Sequence, residues 1–169
     1  MIKYKNIYYS LILIAASLFF PLFYGHKGIL PIDSFLIFNG GYNIFNGHYP
    51  FKDYWSITGP LLDYIQYFFF IIGKLNWISY VTHAAVFNLI LCLFSFYFFL
   101  KIELKKEYSF LYALGISILG YAQTGTPFMD HHAFILSYLS IGFLLLGIKF
   151  KKNQYWFFSS FLLMFSFFS

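Results

Sequence analysis

The sequence predicts an all-α integral membrane protein, a multi-spanning bundle of about five helices with a long first outer loop. Three observations predict it. Sixty per cent of the residues are hydrophobic and only 10% are charged, against about 25% charged in an average globular chain. A soluble domain of 169 residues cannot hide that much apolar surface, so lipid bilayer is the expected solvent. The apolar residues fall in runs long enough to span. Finally, all 11 cations are Lys, and most sit in tracts at the ends of those runs. Tracts so placed set membrane topology and do not build a phosphate groove, so the positions of the lysines argue against the nucleic-acid partner that a net charge of +5 would suggest. The Lys, Ile and Asn bias is also what skewed codon usage produces.

The first run, 7–24, follows Lys3 and Lys5 and is about as long as the roughly 17–25 helical residues a hydrocarbon core requires. It is long for a cleavable leader and no small-x-small site follows, so a retained helix is expected. Pro21 is placed to kink or finish it.

Residues 25–77 form the outer loop with its juxtamembrane helices. After Pro31 and Asp33, the aromatics Phe35, Phe38, Tyr42 and Phe45 recur at three- and four-residue spacing, an amphipathic helix pattern. Asn39, Asn43 and Asn46 lie on another face, and Asp33 stands where a helix cap belongs. The apolar stretch Leu61–Ile72 is too short to span and reads as an interfacial or re-entrant helix, with Asp63 and Gln66 facing water.

Residues 78–100, 108–122 and 133–148 read as the next spans, with the turn 123–132 outside. A fifth span, 155–169, stops without a polar flank, as expected of the N-terminal part of a longer protein. One membrane domain, 1–169, is expected, without internal repeats. Cys92 lies within an apolar run and is the sole cysteine, which excludes an intramolecular disulfide and a cysteine-type zinc cluster.

Charge decides the sidedness. If Leu61–Ile72 does not cross, one side holds eight Lys and two Glu, a net +6, and the other holds three Lys and all four Asp, a net −1. If it did cross, the second and third lysine tracts would face outward, against the positive-inside rule. The Asp-bearing loops are therefore expected outside and the N-terminus in the cytoplasm.

The outer residues supply the candidate chemistry. Asp33 can serve as a general base or as a helix cap. In Tyr49-Pro-Phe-Lys-Asp-Tyr-Trp55, Lys52 and Asp53 are either a solvated pair or, with Trp55 stacking on a sugar, a grip for a lipid-linked phosphate. Asp130, His131 and His132 precede a spanning helix. They are candidates for a divalent metal, a weak signal because adjacent histidines diverge on a helix. They are also candidates for a phosphate at the helix N-terminus. His83 and Asn88, inside a span, read as interhelical hydrogen bonders. No Walker loop, dinucleotide fingerprint, His-Glu-x-x-His motif or serine elbow is present.

The order of these features resembles the glycosyltransferase C superfamily, enzymes that use polyprenyl-phosphate sugars, such as protein O-mannosyltransferases and the lipid A aminoarabinose transferase. The resemblance rests on Pro31-Ile-Asp33, Gly47-His-Tyr-Pro-Phe-Lys-Asp53, Gly59-Pro-Leu-Leu-Asp63 and the second-loop Asp130. It covers nearly the whole chain but only the first third of a family member. Ser34 stands where the family often has Glu, and Gly59 where many members have a phosphate-binding Lys. The resemblance implies Asp33 as catalytic base and an inverting transfer of sugar from a polyprenyl-phosphate donor. The acceptor is a glycan, lipid or protein of the envelope, reached on the outer face of a bacterial inner membrane. The alternatives are a transporter or flippase, or a non-catalytic membrane fragment.

Sidedness is directly measurable. A reporter tag beside Lys105 should appear on the opposite side of the membrane from one beside Asp33, and co-localisation of the two would refute the assignment.

Overall fold

Three stretches are apolar for long enough to cross a hydrocarbon core, and each forms one unbroken helix. The computed structural model describes residues 2–27, 35–57, 59–121 and 125–169. The helices are α1 (Ile2–Gly25), α2 (Leu36–Phe45), α3 (Pro60–Gly73), α4 (Trp77–Lys101), α5 (Lys106–Leu119), α6 (Met129–Phe150) and α7 (Asn153–Phe167). The apolar spans in α1, α4 and α6 hold 19, 25 and 22 residues, within the roughly 17–25 a bilayer demands. The chain is therefore an integral, multi-pass, all-α membrane protein. The expected spans at 108–122 and 155–169 form helices of 14 and 15 residues.

Helix α4 is the axis. Buried residues group into three clusters: Ala84, Leu91, Tyr121, Ile135 and Leu139; Leu13, Cys92, Phe96 and Ala113; and Ile37, Leu62, Phe70 and Tyr80. Each cluster includes residues of α4. Trp77 Nε1 donates to the Gly25 carbonyl (2.8 Å), joining the end of α1 to the start of α4, so these two helices run antiparallel. Helix α6 runs parallel to α4, with His83 beside His132, Phe94 against Gly142, and Lys149 bonded to the Lys101 carbonyl. Helix α7 returns along α6 on small residues: Ser140 donates to the Ser159 carbonyl (2.8 Å) and Ser166 to the Ala133 carbonyl (2.9 Å). Small and hydroxylated residues at such contacts let backbones approach and bond across helices.

Pro21 does not end α1; the helix runs through it to Gly25. Proline has no N–H, so the Ser17 carbonyl one turn earlier loses its helical partner. Asn88 of α4 supplies one: its Nδ2 donates to the Ser17 carbonyl (2.9 Å) and also to the Ser117 carbonyl in the last turn of α5 (2.9 Å). Both acceptors would otherwise be stranded in the membrane interior, where unmet backbone groups cost several kcal/mol. The approach is close enough that a Cβ at Gly120 would collide with Asn88 Oδ1.

The two ends of the bundle are chemically distinct. At one end, Lys149 Nζ meets Glu103 at 2.8 Å, and Lys106 lies over the Tyr9 ring. The hydrogen bond from Lys149 holds the Glu103 carboxyl below its ordinary range. The pair is exposed, so it orients the turn more than it stabilises it. At the other end lie α2, α3 and the loops bearing Asp53 and Asp130. Helix α3 begins there and ends there: Gly59 lies against the Phe168 carbonyl after α7, and Gly73 lies against Ser79 in the first turn of α4.

Replacing Asn88 with Leu leaves both carbonyls unmet and should cost about 1–3 kcal/mol of unfolding free energy for each. Adding Pro21→Ala to the same chain should recover part of it, because the new N–H at position 21 takes the Ser17 carbonyl. Denaturant titration of the four chains in detergent checks the cycle.

Candidate functional site in the first loop

The aromatic stripe expected after Asp33 forms α2, and its inward face is set by Phe38, packed against Phe70 (5.0 Å) and Tyr80 (5.3 Å). On the side facing α3, α2 carries Gly40 and Gly41, both buried. A Cβ at Gly40 would fall on the Asp63 carboxylate and one at Gly41 on the Gln66 side chain. The paired glycines therefore let α3 press two polar side chains against the α2 backbone.

The structure corrects the expectation that Asp63 and Gln66 face water. They are 1% and 0% exposed. Burial of a carboxylate requires donors. Asp63 Oδ2 accepts from the Ser56 hydroxyl (2.7 Å) and the Tyr54 phenol (2.9 Å), and the same phenol lies 3.3 Å from the Gly40 carbonyl. Burial first, and the neighbouring Asp63 charge second, push the Tyr54 phenol well above its ordinary value, so it remains a proton donor throughout the physiological range.

The stretch 46–57 carries these donors into place. Asn46 Nδ2 caps the end of α2 by donating to the Tyr42 carbonyl (2.9 Å). A tight turn follows in which Asp53 Oδ2 accepts from the Tyr49 amide (2.8 Å) and the Phe51 amide donates to the Tyr54 carbonyl (2.8 Å). Asp53 thus shapes the turn. It makes no ion pair with Lys52 among the described residues; Lys52 instead lies over the Tyr49 ring at 5.3 Å. Trp55, next to Phe51, is 78% exposed. It borders a cleft of about 220 Å³ with Asn39, Asn43, Tyr54, Ser56 and Asp63. The cleft offers amides, hydroxyls and a carboxylate around one aromatic plate.

Asp130, His131 and His132 open α6 and diverge, as adjacent helical residues must. Asp130 is exposed. His131 stacks on Tyr121 (4.9 Å), and its Nδ1 is buried without a partner. His132 is turned fully inward, where Nε2 meets His83 Nε2 at 3.0 Å and Nδ1 lies 2.9 Å from the Phe128 carbonyl. Among the described residues no group of three His, Cys, Asp or Glu side chains is placed to hold a metal. Asp130 and His131 border an apolar groove of about 670 Å³ between α5 and α6, floored by Leu91 of α4. The second-loop residues and the first-loop cleft lie at the same end of the bundle.

Asp33, with Pro31 and Ser34, lies outside the described residues, and the cap expected of it lies there too; Phe35 occupies the N-cap of α2, with no side-chain cap bond. Sequence reasoning missed Tyr54, Ser56 and Asp63 as one unit. The available signal was the Gly40-Gly41 pair in α2 set against Asp63 and Gln66, three apart on an otherwise apolar helix. No family model, no curated protein and no solved structure matches the chain.

Tyr54→Phe removes a donor from a buried carboxylate and should destabilise the protein by about 1–3 kcal/mol. Tyr49→Phe, on an exposed phenol, should leave the thermal midpoint in detergent unchanged.

Proposed function

We propose that the chain is part of a membrane glycosyltransferase of the polyprenyl-phosphate type and that the first-loop cleft receives a saccharide. The observation that carries this reading is the lining of the cleft: an exposed Trp55 ring beside Asn39, Asn43, Tyr54, Ser56 and Asp63. A pyranose presents an apolar face and a rim of hydroxyls. An aromatic plate takes the first, and amide and carboxylate groups hydrogen-bond the second.

The apolar groove between α5 and α6 suits a prenyl tail, and Asp130 and His131 stand where that groove meets the polar end. Asp33 is the general base of this reading. It takes the proton of the acceptor hydroxyl as that oxygen attacks the anomeric carbon. The phosphate leaves from the opposite face and the configuration inverts. With five spans and an N-terminus in the cytoplasm, the Asp-bearing end faces outward.

Transfer of radiolabelled sugar from a polyprenyl-phosphate donor by the purified full-length protein tests this. Asp33→Asn should abolish transfer without loss of expression. Trp55→Ala should raise the donor KM about tenfold, the equivalent of roughly 1.4 kcal/mol. Undiminished transfer by both variants would remove these residues from the reaction.

A second reading, a transporter or flippase, is favoured by the buried polar chain formed by Gln66, His83, His132 and Tyr121, since transporters place polar groups within spanning helices. Substrate counterflow into proteoliposomes, with no sugar transferred, would select it.

A further inference from the structure

Helix α3 turns its polar side chains inward and its apolar ones outward. Asp63 and Gln66, the carboxylate and the amide of this helix, are both buried, on one face with Leu62 and Phe70. The opposite face shows Tyr64, Phe68, Ile71 and Ile72, between 46% and 68% exposed. Their positions follow the i, i+4, i+7, i+8 spacing of a single helical stripe. No charged residue falls on it. A helix on a water-covered surface has the reverse order, with polar residues outward. A continuous exposed row of large apolar side chains marks contact with a membrane or another protein.

The place of the helix decides between these. It starts where Gly59 meets the Phe168 carbonyl after α7 and finishes where Gly73 meets Ser79 in the first turn of α4. Both contacts lie at the polar end of the bundle. Its 14 residues make about 21 Å of helix, so α3 lies across that end and not along the bundle axis. The buried face is closed by α2, through Phe38 on Phe70 (5.0 Å), and by α4, through His83 on Gln66 (2.8 Å). Ile78, next to the Ser79 that Gly73 meets, is exposed on a spanning helix. At this joint the stripe meets the lipid-facing side of a span, so the medium continuous with it is the bilayer.

We propose that α3 lies flat in the leaflet at the polar end, with Tyr64, Phe68, Ile71 and Ile72 against the acyl chains, and that the first-loop cleft opens into the headgroup layer beside it. Helices of this kind sink roughly 5–10 Å into the boundary between headgroups and acyl chains. The face that such a helix ordinarily gives to water is here given to the protein. Asp63 goes to the cleft and Gln66 to His83. The layers run from acyl chains through α3 to α2, whose exposed Asn39 borders the cleft. One helix diameter, about 10 Å, separates the acyl chains from the cleft. A group carried on a lipid of that leaflet therefore stands at the height of the cleft and reaches it sideways. The placement holds whichever group the cleft receives, so it stands apart from the sugar-transfer reading.

Spin labels on single cysteines test the placement, with the full chain in lipid nanodiscs. Cys92 is fully buried, and the unsubstituted chain is the labelling control. Tyr64→Cys, Phe68→Cys and Ile71→Cys report on the stripe, Asn39→Cys on the cleft and Lys52→Cys on water. Oxygen concentrates in hydrocarbon, and a nickel chelate stays in water. The ratio of oxygen to chelate collisions should be several-fold higher at the three stripe positions than at Lys52→Cys, and the chelate should reach Asn39→Cys. Tyr64 and Ile71 stand about 10 Å apart along the axis, and a flat helix holds them at depths differing by less than half of that. Chelate access at the stripe equal to that at Lys52→Cys would overturn the proposal. So would shielding of the stripe from both reagents, as a covering protein gives. A depth difference near the full axial separation, as in a re-entrant helix, or hydrocarbon depth at Asn39→Cys, would do the same.

Discussion

The Asn88 amide, in the middle of the axial helix, is the contact on which the bundle depends. Hydrocarbon offers no water to a stranded carbonyl, so every break in a helix must be answered by a side chain. Pro21 makes such a break within α1, and the last turn of α5 makes another. One amide answers both, from α4, the helix that both neighbours already touch. The same device recurs at smaller scale. Asn46 closes α2, and Asn76 accepts from the Ser79 amide at the start of α4 while donating to the Gly73 carbonyl at the end of α3.

With α1, α4 and α5 locked in this way, the polar end can be built on a fixed edge. Trp77 ties α4 to α1 there, and Tyr80 and Phe70 hold α3 and α2 against it. The paired glycines of α2 then bring a carboxylate under the first loop. The cleft is thus assembled from the rim of a rigid bundle and one short turn, the usual division between a scaffold and the loops that carry function.

Three of the expected spans were legible because hydropathy and length are physical demands of the bilayer that any sequence must display. The stripe of Phe35, Phe38, Tyr42 and Phe45 was legible for a similar reason: its period is that of a helix. Asn88 and His83 were readable as interhelical bonders because polar side chains within a span must find partners. Asp63 and Gln66 were not readable. Their burial follows from Gly40 and Gly41 across a helix pair, a tertiary fact that no local pattern carries. The abundance of Asn, which as composition reads like codon bias, proves in three cases to satisfy helix ends. The roles of Lys52 and Asp53 turned on the direction of single bonds within a tight turn, which spacing does not encode.

Asn76 has a mechanical consequence. By closing the end of one helix and the start of the next with a single side chain, it fuses α3 to α4 as one rigid piece. The surface helix cannot lift like a flap without baring both ends of that joint. The cleft is then bounded by one fixed wall and by the Trp55-bearing ribbon, whose short turn is held by the Asp53 carboxylate and by backbone bonds between Phe51 and Tyr54 and between Asp53 and Tyr49.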